Sequence, residues 1–148
     1  MTTVLKYLLA YVLWVVDLAL GVWLLLISRT VFLDILALSF RETSWVYSRR
    51  VDFADKVFLL VLGLGWLIFM IIIEHYYRAS ALTSKLPQRF AWVTGLLLLC
   101  IFVIDTIMFW VQGVGNGNWL RWLILASELS IGIVLLMSVR SSSKSEPV

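Results

Sequence analysis

Three carboxylates, Asp17, Asp105 and Glu128, lie inside three different apolar runs of the chain, and no Lys or Arg sits at comparable depth. Each run is long enough to cross a bilayer, and an acid near the bilayer centre costs roughly 2.5–3.5 kcal/mol on insertion scales. Three chemistries answer such a cost. The acid can be protonated and donate a hydrogen bond to a hydroxyl or backbone carbonyl, since burial disfavours its charged form. It can pair with a base supplied by another polypeptide. Or it can bind a proton or cation reversibly on a transport path, for which interacting carboxylates are well suited.

The neighbours of these acids narrow the geometry. At 3.6 residues per turn, Ala10, Trp14, Gly21 and Leu24 share the face of Asp17, and Gly132 shares that of Glu128. Ala126 and Ser130, with Ser127 between them, put a second small face on the same helix, so helices can approach it on two sides. Thr94, Asp105 and Gln112 fall on one line, with Thr106 adjacent, and predict a polar stripe along the third run. Counting residues along alternating spans puts Asp17 and Glu128 near the midplane and Asp105 roughly 6 Å away along the normal. Asp17 and Glu128 are therefore the expected close pair. Arg121 shares the face of Glu128 about 10 Å away and is expected to snorkel to the interface. Glu74 lies near a helix end with Arg78 four residues on, which predicts an interfacial ion pair.

Other chemistries find little support. The lone Cys100 allows no intrachain disulfide and reads as a small buried apolar residue, and the lone His75 excludes any site needing two histidines from one chain. Met70 and Met108 read as packing. Gly63-Leu-Gly65 is not a phosphate loop, and no Ser-His, His-x-x-x-His or Cys-x-x-Cys arrangement occurs. No metal, no cofactor and no enzymatic activity is expected.

The elements that must position the acids follow from hydropathy. Of 148 residues, 62% are hydrophobic and 14% charged, where a soluble domain carries about 45–50% and about 25%. Mean hydropathy is +0.99. The spacing predicts an all-α integral membrane protein with four transmembrane helices in an antiparallel bundle, over about 7–28, 55–77, 87–112 and 119–139. The first run continues to Ile27, too long for a signal peptide. Asp52 and Asp55 read as an acidic cap and first turn of the second span, Pro87 as the first turn of the third, and Asn118 as the cap of the fourth. The glycines of 113–118 suit a tight reversal. Between the first two spans, 31–40 is apolar but too short to cross, which predicts an interfacial helix, with Trp45 and Tyr47 as headgroup-level anchors. Residues 1–140 form one domain, and 141–148 a polar tail.

Net charge +3 is a poor pointer to nucleic acid, because the bases flank apolar runs where they anchor helices at headgroups. Lys6, Arg78, Lys85, Arg89, Arg140 and Lys144 fall on one side, and Arg29, Arg41, Arg49, Arg50, Lys56 and Arg121 on the other. The counts tie, but the second set belongs mostly to the longer loop, so the expectation is a plasma (inner) membrane protein with both termini cytoplasmic. The reading is a small non-enzymatic multi-pass subunit in a lipid bilayer. It assembles with copies of itself or with other membrane subunits through its buried acidic and small residues. The alternative is an oligomeric channel or a proton- or cation-coupled transporter using Asp17, Asp105 and Glu128.

Overall fold

A computed structural model of the chain describes residues 3–39, 45–80, 85–111 and 119–143. These residues form four α-helices: α1 (Thr3–Ser39), α2 (Trp45–Ser80), α3 (Leu86–Val111) and α4 (Trp119–Ser143). All four are long and apolar enough to cross a membrane. Their outward surfaces say the same. On α2, Leu60, Leu64, Leu67 and Ile71 are exposed at helical spacing, with Val61, Ile68 and Ile72 beside them. Such a strip is costly in water and free of cost against lipid tails.

The first two helices are longer than expected. With 37 and 36 residues, α1 and α2 measure about 55 Å each, against a hydrocarbon core of about 30 Å. The helix expected over 31–40, continuing or kinking away from the first span, is through Ser39 a continuation of α1. Likewise α2 begins at Trp45, so Asp52 and Asp55 are interior helix residues and not a cap. The reason is in the sequence: from Val22 to Leu62 there is no Gly and no Pro, so nothing breaks either helix. The acids pair sideways instead. Arg29 grips Asp55 with two parallel bonds, Nε to Oδ1 at 3.0 Å and Nη2 to Oδ2 at 2.8 Å. Lys56 donates to Asp52 one turn back at 2.7 Å. Phe32 and Phe58 stack with ring centroids 4.2 Å apart, and Val31 is buried. The side chains of Trp45 and Tyr47, Gln112, the 113–118 reversal and the tail beyond Ser143 lie outside the described residues.

Packing is uneven. Helix α3 has α1 on one side and α4 on another, α1 also packs on α2, and α2 meets α3 more lightly. Among the described residues, the α4 backbone approaches α3 alone. The core gathers Ala10, Ile73, Tyr77, Leu86, Val93 and Leu97 from α1, α2 and α3. Two glycines set the α3–α4 crossing. A Cβ on Gly95 would lie 3.2 Å from the Gly132 carbonyl oxygen, and one on Gly132 would lie 3.4 Å from the Gly95 oxygen. Only hydrogens fit between these backbones, as in small-residue crossings of membrane helices.

Candidate functional site

Asp17 is fully buried, and both its carboxylate oxygens are occupied from the same chain. Thr94 of α3 donates its hydroxyl to Oδ1 at 2.7 Å, and Tyr77 of α2 donates its phenol to Oδ2 in a short hydrogen bond. One acid on α1 thus ties together three helices. Tyr77 falls near the C-terminal end of α2, in a sequence cluster that reads as headgroup-level. It reaches a deeper acid because helical side chains lean toward the N-terminus of their own helix. That lean carries the Tyr77 hydroxyl back along α2 toward Asp17, and Trp14 adds a second link between α1 and α2 by donating Nε1 to the Met70 carbonyl at 3.4 Å. Tyr77 is the functional residue that sequence reasoning missed.

Asp17 and Glu128 do not form the expected close pair. Among the described residues the α4 backbone does not approach α1, and the acid whose charge acts on Glu128 is Asp105 of α3. Glu128 is half-buried, and its Oε2 is shut off from solvent with no hydrogen-bond partner among the described residues. Asp105 is also half-buried.

The predicted polar stripe divides accordingly. Thr94 serves Asp17, Asp105 faces Glu128, and Thr106 returns its hydroxyl to the Phe102 carbonyl of its own helix at 2.7 Å. Residues on one line of a helix at different heights meet different neighbours. On α4, Ser127 bonds back to the Ile124 carbonyl at 2.7 Å, and Ala126 and Ser130 are exposed. Their small face is left open, whereas Gly132 is buried against α3. Gly21 is buried against α2, where a Cβ would come within 2.6 Å of Trp66 Nε1 and 2.5 Å of Met70 Cε. Gly95 was missed in the sequence, although Ala91 and Gly95 form a small-xxx-small pair that marks the same packing.

Two further expectations are corrected. Glu74 and Arg78 do not close into an ion pair; they share the rim of a small cavity with Tyr7, Tyr11 and Trp14, and the Arg78 side chain stays exposed. Exposed pairs of this kind gain about 0–1 kcal/mol, too little to fix a long side chain. Cys100 is exposed rather than buried, on the wall of an apolar cleft of about 490 Å³ between α1, α2 and α3. Among the described residues, no three His, Cys, Asp or Glu side chains converge where a metal ion could sit.

The site is therefore two sites, a closed acid at the α1–α2–α3 junction and an open acid pair on the α3–α4 seam. No known protein family, curated protein or solved structure matches the chain to which they belong.

Proposed function

We propose that the chain is a small, non-enzymatic, multi-pass membrane subunit, an antiparallel helical unit that assembles with copies of itself or with another membrane protein along its α3–α4 side. The observation that carries this reading is Glu128 Oε2, which has no hydrogen-bond partner among the described residues and feels the charge of Asp105, on a helix whose backbone, among those residues, is approached by α3 alone. A carboxylate oxygen without a donor inside a membrane is costly, and a second acid nearby raises that cost. Rotation of the half-buried Glu128 side chain toward a base or hydroxyl brought in by a partner removes it. The exposed small residues Ala126 and Ser130 give a partner helix room to come close on the same element.

A second reading rests on the same pair. Two neighbouring acids, one with a vacant oxygen, also suit reversible uptake of a proton or cation, and the chain is then an oligomeric channel or coupled transporter. Asp17 fits that role less well, since both its oxygens already accept hydroxyl donors.

Amide substitutions separate the two. Asp105→Asn and Glu128→Gln keep shape and remove charge. On the subunit reading, the assembly recovered in mild detergent breaks down or loses its partner, and no ion flux is seen in proteoliposomes before or after. Intact assembly together with a proton or cation flux that disappears in Glu128→Gln would replace the subunit role with transport.

A further inference from the structure

At the end of the molecule where α2 finishes and α3 begins, Tyr76, Lys85, Gln88, Arg89, Trp92 and Val139 line a cavity of about 300 Å³. It plays no part in the acid sites. Two of its polar side chains, Arg89 and Gln88, are held in place before any ligand arrives. The Arg89 guanidinium lies over the Tyr76 ring, 4.2 Å from the centroid, and donates one N–H to the Tyr76 carbonyl at 2.9 Å. That carbonyl belongs to the last turn of α2, where a cation also meets the negative end of the helix dipole. Gln88 donates Nε2 to the Val139 carbonyl of α4 at 3.2 Å. Lys85 stands one turn before Arg89 at the start of α3, so the positive end of the α3 dipole opens toward the same space. The rest of the lining is apolar, from Trp92, which is half exposed, and Val139.

We propose that this cavity binds a phosphate ester, taken from the headgroup of an anionic phospholipid. Two bases one turn apart, one of them a guanidinium with donors to spare after its single bond to Tyr76, match the charge and the acceptor oxygens of a phosphodiester. Because Arg89 and Gln88 are already fixed, binding does not have to order them. The level fits a headgroup. Lys85 and Arg89 stand where the apolar run of α3 begins, and Trp92 is one turn further in, the depth at which aromatic belts sit. Basic pockets between membrane helices on the cytoplasmic side are the usual place for such headgroups. Lys85 and Arg89 meet the headgroup, and Trp92, one turn deeper on α3, and Val139 of α4 receive the start of the acyl chains.

The placement at a membrane surface rests on the membrane reading above, so vesicle insertion is measured first. The full chain is reconstituted in vesicles of phosphatidylcholine with phosphatidylglycerol, and resistance to alkaline extraction shows whether it is embedded. Lipids retained by the protein after release into mild detergent are then counted by native mass spectrometry. The expected result is retention of phosphatidylglycerol in preference to phosphatidylcholine. Each of Lys85→Gln and Arg89→Gln should lower that preference about five-fold, and the two together about twenty-five-fold. Lys85→Gln does not touch the α2 carbonyl, so it stands if Arg89→Gln disturbs folding. Addition of inorganic phosphate or glycerol phosphate tests the source. If these leave the retained lipid in place, the headgroup is the ligand; if they displace it at millimolar levels, lipid as the source is overturned. An embedded protein showing no preference between the two lipids, or an unchanged preference in Lys85→Gln and in the double variant, overturns the site and leaves the membrane reading intact. A chain that extracts from the vesicles overturns both.

Discussion

Asp17 and Glu128 are both carboxylates near the middle of apolar helices, yet the chain treats them in opposite ways. Around Asp17, two hydroxyls from two other helices each fill one oxygen, and no part of the group meets solvent. Around Glu128, one oxygen has no donor among the described residues, and the charge of a second acid, Asp105, acts on it. Two hydrogen bonds in a membrane return about 1–2 kcal/mol at the average of roughly 0.6 each. That is less than the roughly 2.5–3.5 kcal/mol an unprotonated acid costs there. Asp17 is thus a poor source of stability but a precise one of register, since only one alignment of α1, α2 and α3 satisfies it. An internally completed polar group fixes a fold. An incomplete one leaves a demand that a group from outside the chain can meet.

The largest expected effect tests the completed side of this contrast. Asp17→Ala removes the acceptor, leaves the Tyr77 and Thr94 hydroxyls buried without partners, and opens a small cavity. The expected loss is about 2–4 kcal/mol, read as a drop in the unfolding midpoint of the purified protein in detergent. Adding Tyr77→Phe and Thr94→Val to Asp17→Ala should recover most of it, because unpaired hydroxyls cause much of the penalty. A triple variant no better than Asp17→Ala would show that Asp17 acts through something other than these two bonds.

The same contrast shows what was legible in the sequence. Four long apolar helices were readable from hydropathy, and so was the anomaly of three acids within them, since both depend on composition alone. Their partners were not. Periodicity gives the face of a residue on its own helix but not which neighbour that face meets. Asp17 and Glu128 seemed paired by depth, and only the absence of α4 from the α1 surface separates them. Tyr77 was hidden by its place near a helix end, because residue counting ignores the lean of a long side chain. The extension of α1 and α2 has a signature in the sequence as well. Neither Gly nor Pro falls in 22–39 or in 45–62, so no breaker stops α1 before Ser39 or delays the start of α2.

A smaller effect is expected where α4 is attached. Gly95→Ala puts a Cβ 3.1 Å from Leu136 Cγ and 3.2 Å from the Gly132 oxygen. The Leu136 side chain can give way, but the carbonyl belongs to a helix backbone, so the two helices must separate slightly. A cost of about 1–3 kcal/mol is expected from this overpacking. It should appear selectively, as faster hydrogen exchange or proteolysis in α4 with α1 and α2 unchanged, since α3 is the only support α4 has among the described residues. Uniform loosening of all four helices would mean that the completed and the open halves are one cooperative unit, and the comparison would lose its force.

The smallest effect on the fold is expected at Glu128 itself, and it sharpens the comparison most. Glu128→Gln keeps the length of the side chain, turns one acceptor into a donor and removes the charge that faces Asp105. Relief of like-charge repulsion and retention of a polar group in a half-buried place nearly offset each other. The unfolding midpoint of the monomer in detergent should therefore change by no more than about 0.5 kcal/mol, as for substitutions away from any satisfied network. Asp17→Asn offers the matched control. An amide there presents an N–H₂ to one of two hydroxyl donors, so one hydrogen bond turns unfavourable unless that hydroxyl reorients, and about 1–2 kcal/mol is expected to be lost. If Glu128→Gln proves as costly as Asp17→Asn in the isolated chain, the Glu128 oxygen is satisfied within the monomer after all, and the case for an outside partner on the α3–α4 seam falls with it.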